Sequence, residues 1–205
     1  MISMCPQCGS NRWNKTATAT HLTCPECGHS WPYRRGPLLL LTGCSGVGKT
    51  TTAIRLFGMT KGFAVLDGDM FYIPDDSGLS AMLEKVCNLS AAFNQQGTPL
   101  LWTLTGGLDL LKDTYHRQFF SELKCLALTC EPDELRRRMT EGRGISDERW
   151  LNCSQEYNAY FRTNDVLGDV HFDKLDITQL TPDEAAERVC TWVAKQLTPS
   201  RKTPD

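Results

Sequence analysis

Short apolar runs alternate with helix-like segments over most of the chain after residue 36. Five runs have the length and composition of buried strands, and they span residues 38–42, 63–66, 100–104, 124–129 and 170–175. Between them lie helical patterns, among them residues 50–57 and 115–123. Strands that alternate with helices are typical of a parallel sheet with helices on both faces. The sequence therefore predicts an α/β fold of three layers.

The last predicted helix carries the clearest start signal. Thr181 occupies the N-cap position, Pro182 follows at the first helical position, and Glu184 completes a capping box. Apolar residues at helical spacing then face the core: Ala185, Val189, Trp192 and Val193. Two further stripes of apolar residues predict amphipathic helices. The first consists of Leu79, Met82, Val86, Leu89 and Phe93. The second follows the predicted cap Ser146 and consists of Trp150, Tyr157, Tyr160 and Phe161.

Length and charge limit the class of protein. The chain has 205 residues, a formal net charge of −2 and 22% charged residues, so it is long enough for one main domain with a small appendage. This balance lacks the basic excess of duplex-DNA binders, and nucleic acid is not favoured as a partner. Apolar runs such as residues 38–41 are far too short to span a bilayer, and no segment resembles a signal peptide. We expect a cytoplasmic protein without membrane association.

Four of the ten cysteines form two Cys-x-x-Cys pairs near the N-terminus, separated by 15 residues. This is the spacing of a zinc site with four thiolates, in which each pair turns back on itself and the following glycine permits a positive φ. A segment of this size cannot bury enough apolar surface to fold unaided, so the metal would supply folding energy. We predict a zinc ribbon over residues 1–36 with the ligands Cys5, Cys8, Cys24 and Cys27. The other six cysteines are interpreted as free thiols that pack as small hydrophobes.

Two interpretations of the ribbon's role remain open. A closed site of four thiolates is structural and carries no chemistry by itself, which favours a folding or docking role. The alternative is contact with single-stranded nucleic acid, because cations and aromatic rings bind phosphates and stack on bases. The ribbon region contains the following residues of these types: Arg12, Trp13, Lys15, His21, Trp31, Tyr33, Arg34 and Arg35.

A glycine-rich turn directly follows the first predicted core strand. The sequence Gly-Cys-Ser-Gly-Val-Gly-Lys-Thr at residues 43–50 matches GxxxxGK[ST], and it lies between a strand and a helix, as this phosphate-binding motif requires. In such a turn backbone N–H groups surround the phosphates, Lys49 reaches the β and γ oxygens, and Thr50 ligates magnesium. ATP or GTP is the expected ligand. The predicted nucleotide-binding residues are Gly43, Ser45, Gly46, Val47, Gly48, Lys49, Thr50 and Thr51.

Four segments together resemble the small P-loop kinases, which include nucleoside and nucleotide kinases, shikimate, gluconate and adenylylsulfate kinases, and chloramphenicol phosphotransferase. The segments are the turn at residues 43–50, Leu-Asp-Gly-Asp at 66–69, residues 130–139, and the Arg- and Gly-rich residues 141–147, which are similar to a short lid. The resemblance covers about residues 37–197. It implies the P-loop NTPase fold and transfer of a phosphoryl group from ATP to a small molecule, with Mg²⁺ as cofactor.

Two carboxylates, Asp67 and Asp69, follow the second core strand. At the carboxyl end of the strand beside the P-loop strand, they would lie where magnesium and an acceptor hydroxyl group meet the γ-phosphate. The resemblance to kinases with Asp-x-Asp at this place assigns Asp67 to magnesium and Asp69 to the acceptor. The alternative is a solvated turn, since Asp-Gly is a favoured turn pair. The next strand, at residues 100–105, ends without the carboxylate of an ATPase, which disfavours a hydrolytic function.

Two arginines are candidates for stabilising charge on the transferred phosphoryl group. Arg143 lies between glycines in the lid-like segment, and we expect a flexible loop to carry its guanidinium group over the phosphates. Arg138 flanks the buried stripe of its predicted helix, although an i,i+4 pair with Glu134 gives it an alternative surface role. The candidate catalytic residues are therefore Lys49, Asp69, Arg138 and Arg143.

These features predict a zinc ribbon at residues 1–36, a kinase domain at 37–198 and a disordered tail at 199–205. The expected function is ATP-dependent phosphoryl transfer to a nucleoside or nucleotide, with ATP, Mg²⁺ and Zn²⁺ bound. Two alternatives remain open: a kinase for a non-nucleotide alcohol such as a sugar acid or an antibiotic, and a nucleic-acid-associated P-loop NTPase or end-kinase that binds through the ribbon. Acceptor specificity is expected in residues 70–94. Tyr157 and Tyr160, otherwise interpreted as core, are further candidates for an acceptor pocket.

Overall fold

A computed structural model of the chain describes residues 2–72 and 78–198, and the predicted tail at 199–205 lies outside the described residues. In chain order the strands are β1 (Thr16–Ala17), β2 (His21–Thr23), β3 (Ser30–Pro32), β4 (Gly36–Thr42), β5 (Ala64–Asp67), β6 (Leu100–Thr103), β7 (Phe120–Thr129), β8 (Val166–Leu167) and β9 (Val170–Asp176). The α-helices are α1 (Lys49–Leu56), α2 (Gly78–Gln95), α3 (Pro132–Arg143), α4 (Glu148–Thr163) and α5 (Pro182–Leu197).

The main sheet has six strands in the order β5-β6-β4-β7-β9-β8. All pairs are parallel except β8 with β9, which form an antiparallel hairpin at one edge. Successive parallel strands are joined through helices, as parallel pairing requires. The α/β prediction is therefore confirmed, with the P-loop strand β4 near the centre of the sheet.

The sheet is buried on both faces, and the alternation of side chains along β4 shows this directly. Leu38 and Leu40 pack into a hydrophobic cluster with α2, while Leu39 and Leu41 pack into a second cluster with α1 and α5. A strand that is buried on both faces needs a continuous apolar run, as β4 has. The three layers follow from this arrangement.

Residues 115–123 differ from the helix that their pattern predicts. Tyr115–Phe119 form a short 3₁₀ helix, and β7 begins already at Phe120. Phe120 is paired with Gly36 of β4, and a register irregularity follows before Leu38 pairs with Leu123. Backbone pairing with a central strand thus overrides the local helical periodicity, because tertiary context outweighs weak intrinsic preference.

The lid-like segment is more regular than the sequence predicts. Arg143 is the last residue of α3, and Gly144 ends the helix with a φ of 66°. The expectation of a flexible loop at Arg143 is therefore wrong. The N-cap of α4 is Asp147 rather than Ser146, since the Asp147 carboxylate accepts hydrogen bonds from the backbone N–H groups of Arg149 and Trp150. At α5 the predicted capping box of Thr181 and Glu184 is present.

The N-terminal segment forms a three-stranded antiparallel sheet, β1-β2-β3, that contacts the main domain. Leu22 and Tyr33 are buried in the same hydrophobic cluster as Phe119, and the Tyr33 hydroxyl group donates a hydrogen bond to the Phe119 carbonyl oxygen at 2.8 Å. Across the same contact the Tyr115 hydroxyl group donates to the Lys15 carbonyl oxygen at 2.9 Å. The boundary at residue 36 stays a prediction, and side chains from both sides of it share one core.

The helices of the described residues have no membrane-spanning character, since none combines the length and hydropathy that a bilayer crossing requires.

Candidate active site

The glycine-rich turn lies between β4 and α1, and α1 begins at Lys49. Gly46 has a φ of 80°, and a Cβ atom there would lie 2.4 Å from Cγ of Met139 in α3. A Cβ atom at Gly43 would lie 2.6 Å from the Leu128 carbonyl oxygen. The turn can therefore pack against β7 and α3 only with glycine at these positions. The N–H groups of the first turn of α1 have no partners within the helix, and they suit an anion such as phosphate.

Lys49 is a buried cation at the base of this turn. Its side chain is only 8% exposed, and Nζ donates hydrogen bonds to the carbonyl oxygens of Gly43 at 2.9 Å and Cys44 at 2.8 Å. Burial lowers its pKa to about 8, against the attraction of nearby acidic groups. An ammonium group has three N–H donors, so these bonds leave one for a ligand. A buried cation beside free backbone N–H groups fits a polyphosphate.

Cys44 lies inside the turn without a visible role in binding. Its side chain is buried, and desolvation raises the pKa of the thiol to about 12. The reactive form of cysteine is the thiolate. Cys44 therefore packs as a small apolar side chain rather than as an oxidation-sensitive group.

A cluster of oxygen atoms joins α1 to the ends of β5 and β6. The Thr50 hydroxyl group donates to Oδ2 of Asp67 at 2.9 Å, and the Thr103 hydroxyl group donates to Oδ1 of Asp67 at 2.8 Å. Asp67 and Thr103 are direct neighbours in the parallel register of these strands. Hydroxyl and carboxylate oxygens are the ligands that Mg²⁺ prefers, so the predicted ligands Thr50 and Asp67 fit this ion. Thr103 was missed because only a carboxylate was sought at the end of β6.

A cavity of about 450 Å³ lies above this cluster and brings most of the predicted site together. Lys49, Thr50 and Asp69 line it, together with Arg143 and further residues of the turn. Its remaining wall consists of Thr103, Thr105 and Trp150. None of these three was predicted as a site residue. For Trp150 the reason is that nothing in the local sequence shows that α4 faces the turn.

Arg143 reaches the cavity from the end of α3. Its Nη1 atom lies 3.5 Å from the Ser45 hydroxyl oxygen, and its guanidinium carbon lies 5.9 Å from the centre of the Trp150 ring. The side chain is exposed, so the guanidinium group keeps most of its donors for a ligand. A cation so placed beside the turn is suited to stabilising negative charge on phosphate oxygens.

Arg138, the other candidate arginine, is largely occupied by protein groups. Nε donates to Glu134 at 2.7 Å, Nη1 donates to the Val47 carbonyl oxygen at 3.0 Å, and Nη2 donates to the Ile177 carbonyl oxygen at 3.0 Å. Hydrogen bonds from Arg137 and Arg138 lower the pKa of Glu134 to about 2. Arg138 thus connects α3 to the glycine-rich turn and to the segment after β9.

A cavity of about 590 Å³ lies on the other side of the turn. It lies between the start of α1, the arginines of α3 and residues 178–182. Its position next to the phosphate-binding turn suits the nucleoside part of a nucleotide. Residues 178–182 carry no motif that sequence reasoning had singled out for binding.

The four N-terminal cysteines converge as predicted. Their Sγ atoms all lie within 4.8 Å of one another, with Cys5 and Cys27 3.7 Å apart and Cys8 and Cys24 3.9 Å apart. Tetrahedral zinc with Zn–S bonds of about 2.3 Å separates its sulfur ligands by about 3.8 Å. The donor set and its geometry therefore fit zinc. The glycine after each pair has positive φ, 70° at Gly9 and 71° at Gly28.

No family model matches the sequence, and no curated protein matches it. Solved structures with the same fold include a sugar kinase from a Janibacter species, at 20% identity and a TM-score of 0.58, over 78% of this chain and 95% of that chain. A gluconokinase from Sinorhizobium meliloti matches at 18% identity and a TM-score of 0.57, over 79% of this chain and 94% of that chain. A shikimate kinase from Acinetobacter baumannii matches at 16% identity and a TM-score of 0.52, over 80% of this chain and 96% of that chain. The chain thus has the fold of the small P-loop kinases.

Proposed function

We propose that this chain, folded as a small P-loop kinase, transfers the γ-phosphoryl group of ATP to a small molecule, with a nucleoside or nucleotide as the acceptor. The observation that carries this proposal is the cavity that Lys49, Thr50, Asp69 and Arg143 share beside the glycine-rich turn. The solved structures of similar fold support it, because those described above are kinases for small molecules.

In the proposed reaction the acceptor oxygen forms a bond to the γ-phosphorus, while the bond from that phosphorus to the β–γ bridging oxygen breaks and ADP leaves. Asp69 accepts the proton that the acceptor hydroxyl group loses. Lys49 and Arg143 neutralise charge on the transferred group and on the leaving phosphates. Mg²⁺, held by Thr50 and Asp67 when bound, would add to this charge neutralisation.

Two ribbon residues that were candidates for nucleic-acid contact, Lys15 and Trp13, are engaged with protein groups, which favours this function over a nucleic-acid-associated one. Lys15 is buried, and its Nζ donates to the carbonyl oxygens of Ser10 at 2.8 Å and Arg12 at 2.6 Å. Trp13 lies parallel to the Tyr115 ring at 6.2 Å, so one face of it is directed to the main domain. We propose that the ribbon binds zinc and serves as a structural element of the protein.

The proposal is tested by measuring ADP formation with nucleosides, nucleoside monophosphates and sugar acids as acceptors. We expect Lys49→Ala to lower turnover by about 100-fold or more, because a cation at the transferred group is lost. Lys61→Ala, at an exposed position outside the cavity, is the matched control. Transfer by Lys49→Ala at a rate near that of the control would contradict the kinase mechanism.

A further inference from the structure

A second cavity, of about 490 Å³, opens beside the phosphate cavity. The two share Ser45, Thr105 and Trp150 as lining residues, so they adjoin each other. A molecule in the second cavity would therefore lie next to the cavity that Asp69 and the turn line.

The walls of the second cavity are mainly aromatic and apolar. Trp150, Tyr157, Tyr160 and Leu167 line it, and Trp150 is 45% exposed. The Tyr160 hydroxyl group donates to the Val166 carbonyl oxygen at 2.7 Å, which holds this ring in place against β8. An exposed indole ring on a rigid helix next to two phenol rings is suited to stacking with a flat ligand.

The Tyr157 hydroxyl group adds one polar feature to this wall. Burial raises the pKa of Tyr157 to about 12, so the phenol is neutral and acts as a donor at physiological pH. Its ring packs at 4.7 Å against Phe161, and within the described residues the hydroxyl group forms no hydrogen bond to protein. It is therefore available to a polar group on the edge of a ligand.

The charges of the residues that line the cavity disfavour an acidic acceptor. Of the described residues that line the second cavity, Glu156 is the one with a charged side chain. Phosphate and carboxylate groups are recognised by arginine and lysine, and the two cations of the phosphate cavity, Lys49 and Arg143, are assigned to the transferred group. The sequence between Asp69 and Lys85 contains neither Lys nor Arg. An acidic acceptor would thus find no countercharge in this cavity.

We propose that the second cavity is the acceptor subsite and that it binds a neutral nucleoside, with the base against Trp150 and Tyr157 and a sugar hydroxyl group towards Asp69. This inference rests on the proposed kinase function and narrows it, because it disfavours nucleotides and sugar acids. Of the two acceptor regions that the sequence analysis named, residues 70–94 lie partly outside the described residues, at 73–77. This inference favours the other, Tyr157 and Tyr160 on α4.

The test is isothermal titration of the full-length protein, saturated with a non-hydrolysable ATP analogue and Mg²⁺. The probes are adenosine, guanosine, cytidine, uridine and thymidine, their 5′-monophosphates, and gluconate. We expect at least one nucleoside to bind about tenfold or more tightly than its monophosphate and than gluconate. Trp150→Leu lowers the affinity for that nucleoside by about 5- to 100-fold, because base stacking on the indole ring is lost. Tyr157→Phe keeps the ring and its packing but removes the hydroxyl group, and it lowers the same affinity by about 3- to 10-fold.

Phe57→Leu, at an exposed ring after α1, is the matched control and leaves nucleoside affinity unchanged. Tighter binding of a monophosphate or of gluconate, or nucleoside binding that neither Trp150→Leu nor Tyr157→Phe weakens, overturns the inference. ADP formation separates it from the proposed function. Transfer to an acidic acceptor refutes the nucleoside subsite and leaves the kinase standing, whereas nucleoside binding at this wall without ADP formation refutes the kinase and leaves the subsite standing.

Discussion

At the scale of single residues, the two carboxylates after β5 have different surroundings. Asp67 accepts hydrogen bonds from Thr50, from Thr103 and from the backbone N–H group of Asp69. The Asp69 side chain is exposed to the cavity, and within the described residues its carboxylate accepts no hydrogen bond. Asp67 is thereby held for a fixed ligand, while Asp69 is free to meet an acceptor.

The first prediction separates these two roles. We expect Asp69→Asn to lower kcat by about 100-fold or more, because general-base catalysis contributes about 10²–10⁴ in rate. The affinity for ATP should change little. Asp67→Asn should instead raise the Mg²⁺ concentration needed for half-maximal turnover. Steady-state kinetics at several Mg²⁺ concentrations measure both effects. If neither change affects turnover, the pair is only a turn.

The second prediction concerns Arg143, which lies close to Ser45 and Trp150. Arg143→Ala should lower kcat by about 100-fold, because it removes a donor aimed at developing charge. The matched control is Arg136→Ala, since Arg136 lies on the same helix, is exposed and pairs with Glu148. Equal kcat values for the two variants would exclude Arg143 from transition-state stabilisation.

At the scale of elements, α3 is held against the glycine-rich turn by packing and by hydrogen bonds. Met139 packs against Gly46, and Arg138 donates to the carbonyl oxygens of Val47 in the turn and of Ile177 after β9. The start of α1, the end of α3 and the segment after β9 therefore form one unit around the nucleotide cavity. A change in this contact should affect ATP binding and stability together.

The third prediction follows from this unit. Arg138→Met keeps most of the side-chain volume but removes the charged donor to the Val47 and Ile177 carbonyl oxygens, of which Ile177 keeps a hydrogen bond from the Leu180 backbone N–H group. Charged hydrogen bonds of this kind contribute about 1.5–3 kcal/mol, so we expect a comparable loss in the free energy of unfolding and a weaker affinity for ATP. Urea unfolding and ATP titration measure the two. Arg136→Met is the control, because Arg136 is exposed and pairs with Glu148. A loss of unfolding free energy no larger than that of Arg136→Met would show that the Arg138 contact does not stabilise the protein.

At the scale of the whole molecule, the ribbon and the nucleotide site lie at opposite ends of the main sheet. The ribbon immediately precedes β4 and contacts the 3₁₀ helix that leads into β7, whereas the turn follows the carboxyl end of β4. Leu22 and Tyr33 bring ribbon side chains into the hydrophobic cluster of α2. Loss of the ribbon should therefore lower the stability of the main domain and leave the geometry of the turn unchanged.

The fourth prediction is that Cys24→Ser releases zinc and lowers the melting temperature of the whole protein, while the affinity for ATP is kept. Three thiolates do not close a tetrahedral site, and without metal the ribbon lacks the core to stay folded. Zinc analysis, thermal unfolding and ATP titration measure the three properties. Cys190→Ser, which leaves the four thiolates intact, is the control. Zinc loss without a change in melting temperature would show that the ribbon is independent of the main domain.

The sequence by itself determined the features whose partners are close along the chain. The glycine-rich turn, the two Cys-x-x-Cys pairs and the capping box of Thr181 each depend on residues a few positions apart, and each has the predicted form. The α/β class also followed from the sequence, because buried strands and amphipathic helices have distinct periods. Local chemistry suffices in these cases.

Only the tertiary structure decided which distant groups meet. Thr103 contacts Asp67 because β5 and β6 pair in parallel register, and Trp150 reaches the phosphate cavity because α4 packs beside the turn. The helix predicted over residues 115–123 stops at Phe119 because β7, which begins at Phe120, pairs with β4. Such contacts depend on strand order and helix packing, which many local patterns can satisfy equally well. The expectation that acceptor specificity lies in residues 70–94 stays a prediction. Tyr157 and Tyr160 were already candidates from the sequence, but only the folded chain shows that Trp150 joins them in one wall.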